Sequence, residues 1–193
     1  MQTTATAEAS TFPRLLLKHA TERPGAPAMR EKEYGIWQTR SWADMATLVE
    51  HLACGLHQAG LQRGEHMIVV GANRPRLSAT MLAAQALGAI PVPLYQDAAA
   101  AECVFPITNA EVRFCLVEDQ EQVDKMLEVR ESCPQLAHIY YDDPRGLRNY
   151  HEAGLTALDE LLTAGQSFAA LSIKHIRPCR RYYLCIYRMS PAQ

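Results

Sequence analysis

Residues 56–97 read LHQAGLQRGEHMIVVGANRPRLSATMLAAQALGAIPVPLYQD. Gly60 is placed to end a helix, with Leu61 as the apolar contact beyond it, and Gly64-Glu65 forms a turn. Met67-Ile68-Val69-Val70 follows, a short unbroken apolar run inside the strand His66 to Gly71. Consecutive apolar positions are what a strand buried on both faces requires. Arg76 to Leu87 is Ala-rich and reads as a closely packing helix, stopped by Gly88. Ile90-Pro91-Val92-Pro93 reads as the next strand. Its prolines lack N–H donors, which places it at a sheet edge or a strand end. Strand, helix and strand at this spacing form a βαβ unit with parallel pairing.

Upstream, Thr11 is expected to cap a helix with Pro13 in its first turn, running to Glu22. Ala28–Lys32 and Ile36–Arg40 flank Tyr34-Gly35, the pattern of a hairpin. Ser41 and Asp44 have the spacing of a capping box. Trp42, Met45, Val49, Leu52 and Leu56 then recur at alternating intervals of three and four, an amphipathic helix. Downstream, the chain alternates helix Ala98–Asn109, interrupted near Pro106, strand Arg113–Glu118, helix Gln120–Glu131, strand Ala137–Tyr141 and helix Leu155–Ala164. The class is α/β: alternating strands and helices around a mainly parallel sheet, with an N-terminal helix and hairpin.

Composition narrows the rest. The chain has 193 residues, 48% of them hydrophobic, which is enough for one packed core and too much for general disorder. Its apolar runs fall far short of the ~20 residues needed to span a bilayer. The start MQTTATAEAS has neither the basic region nor the apolar core of a secretory signal, and residues 1–10 read as a disordered leader. Six cysteines (54, 103, 115, 133, 179 and 185) form no CxxC pair and are expected to be reduced thiols of a cytoplasmic protein. The net charge of −2 is uneven. Residues 1–165 carry 21 acids and 14 bases, whereas residues 166–193 carry five bases and no acid. That switch suggests a boundary at residue 166, separating a domain over 11–165 from an atypical basic tail.

Several quoted pieces, taken in order, resemble one known family. TFPRLLLKHATERPGAPAMREKEYGIWQTRSW (11–42) resembles the opening helix, hairpin and second helix start of AMP-forming acyl-CoA synthetases of the bacterial long-chain fatty acid type. AQALGAIPVPLY (84–95) resembles that family's early core motif, and AEVRFCLVEDQEQVDKMLEV (110–129) its next strand–helix pair. The resemblance covers about residues 11–165. It implies the partial N-terminal domain of the adenylate-forming fold and a parent activity of fatty acid–CoA ligation, using ATP, Mg²⁺ and CoA. The resemblance further implies that the phosphate loop, the ribose aspartate and the C-terminal lysine lie beyond the matching region. No residue here matches a catalytic motif, so this fragment is expected to be inactive and to bind none of these cofactors productively. Two further origins stay open within the superfamily: an aryl acid ligase and a peptide-synthetase adenylation domain. A third alternative, of a different class, is a non-catalytic remnant or interaction module on the same scaffold. The tail LSIKHIRPCRRYYLCIYRMSPAQ departs from the pattern. A frameshift, a divergent terminus and a truncation all remain as its origin.

The candidate sites are correspondingly few. Pro93, Leu94 and Tyr95 end the second strand, and the resemblance implies that they wall part of an acyl site. Asn73 and Arg74 follow the first strand, where α/β proteins place ligand loops; a structural turn is the competing reading. His51, Cys54 and His57 invite a metal, but their spacing fans them over a third of the helix, too wide for one tetrahedral site. They read as residues of a solvated face, and no metal site is expected. GxGxxG, GxxxxGK[ST] and GxSxG are absent from the sequence. The tail's bases and tyrosines could attract a membrane surface, but nucleic acid is not expected as a partner of an otherwise acidic chain. Oligomeric state is not legible.

Overall fold

The computed structural model describes residues 11–175, with side chains to residue 169. The leader at 1–10, Cys179, Cys185 and the apolar tail residues Leu184 and Ile186 lie outside the described residues.

Pro13 fixes the first turn of α1 (Phe12–Glu22). Thr11 occupies its cap position, but with no side-chain bond: its Oγ1 is buried without a partner, and only its carbonyl is used, by Leu15 N–H. A hairpin follows, β1 (Pro27–Glu33) and β2 (Ile36–Ser41), in antiparallel register. Its two-residue turn holds Tyr34 and Gly35 at φ 47° and 82°, both left-handed, the turn whose twist suits a hairpin. The capping box starts α2 (Trp42–Gln58) as expected: Asp44 N–H donates to Ser41 Oγ, and Ser41 N–H to Asp44 Oδ2. Gly60, at φ 96°, ends the helix region, and Leu61 N–H reaches back to Leu56 O.

Then come β3 (His66–Val70), α3 (Pro75–Leu87), β4 (Ile90–Leu94), α4 (Ala100–Asn109), β5 (Phe114–Val117), α5 (Gln120–Ser132), β6 (His138–Tyr141), β7 (Leu155–Ala157) and α6 (Leu158–His175). Strands β3 to β7 form one sheet in the order β4-β3-β5-β6-β7, and every pairing is parallel. Alternate strand residues feed two cores. Met67, Val69, Phe114, Leu116 and Tyr140 point to α1, α2, α3 and α6. Ile68, Val70, Cys115, Val117 and Ile139 point to α4 and α5. Leu52 and Leu56, read as the α2 core stripe, are fully buried beneath β3. Each contributes roughly 1.5–3 kcal/mol by leaving water.

Three expectations are corrected. Pro106 does not interrupt α4, which runs through it to Asn109. The segment expected as one helix from Leu155 begins as the edge strand β7, and its helix α6 continues to His175, so the compositional switch at 166 falls inside a helix. The face of α2 carrying His51, Cys54 and His57 is not solvated, because α6 lies across it. Gly165 and Gly55 make the crossing close: a Cβ on Gly165 would stand 1.8 Å from His51 O, and one on Gly55 2.4 Å from Leu161 O. His51, Cys54 and His57 are therefore half-buried, and burial pushes the Cys54 thiol up.

Candidate functional site at the carboxyl edge of the sheet

In a parallel sheet every strand delivers its following loop to the same edge, and ligands gather where the strand order reverses. The reversal here is at β3: β4 lies to one side, β5 to the other. Asn73 and Arg74 follow β3, and Pro93, Leu94 and Tyr95 end the adjacent β4, with Val69 opposite Pro93 and Val70 opposite Leu94. All five expected site residues thus stand on one edge, on neighbouring strands. Tyr95 and Asn73 are exposed, Pro93 is exposed, and Leu94 and Arg74 are half-buried.

The crevice between β3 and β5 is filled by Glu118. Its Oε2 accepts from Ala72 N–H at 2.6 Å and its Oε1 from Arg74 Nε at 2.9 Å. Gly71 makes room for it. At φ 150°, a side chain there would meet Glu118 Cβ and Leu77 Cδ2, both 2.6 Å from the added carbon. The bond to Glu118 raises the basicity of Arg74 beyond its already high value. Next along the edge, Asp143 N–H donates to Glu118 O and Asp142 N–H to Val117 O. Arg76 Nη2 donates to Asp159 Oδ1 at 2.6 Å, and its Nε lies 2.8 Å from Asp142 Oδ1 as an ion pair out of hydrogen-bond alignment. Burial raises the Asp142 carboxyl above the usual range, and nearby Asp159, Glu118 and Glu31 add to this against the pull of Arg76. Asp143 is lowered, chiefly by its hydrogen bond to Arg145. From the hairpin, the charge of Glu31 adds to the upward shifts of both Arg74 and Asp142.

Glu118, Asp142, Arg76 and Asp159 were not singled out by the sequence reading. The signal was present for two of them, because Glu118 and Asp142 are the first polar residues after Leu116-Val117 and Tyr140-Tyr141, where a buried parallel strand must surface. A mostly apolar depression of about 390 Å³ lies at the opposite edge, between Phe12, Leu15, Gln85 and Gly88, and an open one of about 460 Å³ runs along α6, lined by Asp159, Glu160, Thr163, Ala164 and Ser167.

The comparisons with known proteins agree with this architecture. A family model described as AMP-binding enzyme matches residues 16–170. The chain belongs to that family. It is 24% identical over 153 residues to the long-chain-fatty-acid–CoA ligase FadD15 of Mycobacterium bovis, an alignment covering 79% of this chain and 24% of the ligase. It is 30% identical over 136 residues to the uncharacterized protein Rv1549 of Mycobacterium tuberculosis, covering 70% of this chain and 74% of that one. Among solved structures, acetoacetyl-CoA synthetase from Streptomyces lividans superposes with a TM-score of 0.69 at 21% identity, over 78% of this chain and 24% of the synthetase. That likeness shows the fold. The chain thus spans about a quarter of the curated ligase it matches.

Family membership implies an adenine nucleotide, and the carboxyl edge can be tested for one. Phosphates need free backbone donors and uncommitted cations. Here Ala72 N–H and Arg74 are taken by Glu118, Arg76 by Asp142 and Asp159, and Arg145 by Asp143. Acids line the same edge. These residues do not fit a triphosphate. Nor, among the described residues, do three His, Cys, Asp or Glu side chains converge as metal ligands. What the edge offers instead is a self-paired polar floor beside the apolar end of β4.

Proposed function

We propose that this chain is the opening α/β unit of a long-chain fatty acid–CoA ligase and acts as scaffold and wall, while the adenylation chemistry belongs to residues outside it. The observation that carries the reading is the family match over 16–170, joined to a curated fatty acid ligase aligned over 79% of this chain but 24% of the ligase. In the proposed enzyme, ATP, Mg²⁺ and CoA would be held by other parts of the molecule. Pro93, Leu94 and Tyr95 would line the acyl site, and Asn73 and Arg74 would form its polar rim, Arg74 fixed by Glu118. The free thiols Cys54, Cys103, Cys115 and Cys133 go with a cytoplasmic setting.

The chain by itself is expected to form no acyl-adenylate. Pyrophosphate exchange with ATP and a panel of fatty acids should stay at the level of a protein-free blank. Exchange clearly above that blank would end the scaffold reading. A second reading has one observation behind it: the short mycobacterial relative, most of which this chain covers. It is the same scaffold used as a non-catalytic interaction module. A fatty acid carrying a photoreactive tail group separates the two readings. Labelling at Tyr95 supports the acyl wall, and its absence there favours the module.

A further inference from the structure

We propose that the β1–β2 hairpin is a docking element for an anionic lipid surface. Three large apolar side chains stand within four positions of its tip: Tyr34 is 84% exposed, Ile36 65% and Trp37 64%. A two-residue left-handed turn holds them, so they are displayed on a defined ribbon and not on a loose loop. Residues of a strand alternate between faces, and Met29, which packs against the core, marks the face turned to the body; Glu31, two positions on, and Arg40, opposite Met29, share that face and are half-buried. Arg30, Lys32, Trp37 and Thr39 therefore lie on the outward face. In the strand register Lys32 stands directly opposite Trp37, and Arg30 opposite Thr39. Both cations are exposed, and neither is in an ion pair among the described residues. Glu33, opposite Ile36, is the one acid at the tip, and it lies on the body-facing side.

This combination selects its occupant. Trp and Tyr carry an apolar ring and a polar edge, which suits the boundary between headgroups and acyl chains. Ile36, opposite Glu33, belongs to the body-facing side, so on the outward face it is Arg30 and Lys32, flanking Trp37, that match a negatively charged headgroup layer. A protein partner of the usual kind would be expected to bury more area than one hairpin offers. The inference stands on the hairpin alone and does not need the ligase reading.

The test is sedimentation of the full chain with vesicles of phosphatidylcholine mixed with phosphatidylglycerol, and with phosphatidylcholine alone. Binding should favour the anionic vesicles and be released by salt. The double variant R30E/K32E should bind on the order of tenfold more weakly or worse, since each cation near such a surface is worth about a factor of five. Brominated lipid should quench the parent's fluorescence, and W37F should lose that quenching while Trp42 still reports the fold. Equal partitioning to both vesicle types, or undiminished binding of R30E/K32E, overturns the proposal. So does a concentration-dependent dimer of the parent that W37F abolishes, which would assign the tip to a second copy of the chain. Should R30E/K32E fail to fold by circular dichroism, the parent's lipid and salt dependence and the W37F quenching decide alone.

Discussion

Asp142 leaves β6 into a partly closed corner, with Arg76 on one side and three other carboxylates within influence. Burial dominates, so its carboxyl binds its proton more tightly in the folded chain than in the unfolded one. A raised folded pKa has a definite sign. Stability from this group is fully present below the unfolded value of about 3.9 and declines as pH rises through the higher folded value. Asp143 does the opposite: lowered by Arg145, it contributes stability above the unfolded value that is lost as pH falls. A bare pH titration would mix the two. The difference between parent and Asp142→Asn isolates the first, and Arg76 keeps Asp159 as its partner in the variant. We expect the variant to gain on the parent as pH rises from about 4 to 7, read as urea midpoints at both ends. A variant that instead loses ground towards pH 7 would show that the pairing with Arg76 outweighs burial.

Among the elements, β4 shows how much a few residues can dictate. It is an edge strand, as its prolines predicted, and the register explains their spacing. Ile90 N–H donates towards β3, to Glu65 O, so by alternation the N–H positions facing outward are 91 and 93. Both are proline. The open edge thus offers carbonyls but no donors there, and a strange strand cannot zip onto it. Replacing both, as Pro91→Val/Pro93→Val, restores two outward donors on an apolar edge. The expected outcome is concentration-dependent self-association in analytical ultracentrifugation, at concentrations where the parent shows less. A variant sedimenting like the parent throughout would mean that the edge is guarded by something other than its missing donors. The crossing of α2 and α6 was less legible. Gly55 and Gly165 carry no periodic signal, and their closeness follows only from a contact 110 residues apart in the chain. For that reason His51, Cys54 and His57 looked solvated: α2's second apolar contact is made by a helix the sequence reading ended too early.

For the whole molecule, the parts read correctly from sequence are those with strong local causes: the Ser41–Asp44 cap, the Tyr34-Gly35 turn and the apolar runs of β3 and β5. Short β7 escaped because three residues, Leu155–Ala157, are too few to show a period, and they read as the start of the helix that follows. The paired charges Arg74–Glu118 and Arg76–Asp142 escaped because only the parallel stacking of separate loops brings them together. The same issue decides where the folded unit ends. Composition put a boundary between 165 and 166, yet α6 continues to His175. Beyond Gly165 it places Ala169 in the interior, and Phe168 sits with its ring centroid 6.1 Å from that of His57. A chain ending at Gly165 forfeits those contacts and the last hydrogen-bonded turns of the helix. A chain ending at His175 keeps them. The shorter version should be less stable by about 1–3 kcal/mol, the scale of one partly buried aromatic and one small core residue. Urea unfolding of the two truncations measures this directly. Equal midpoints would support a boundary at residue 165 and make the second half of α6 an appendage, whereas the expected gap would make α6 the strap that closes the first core over α2.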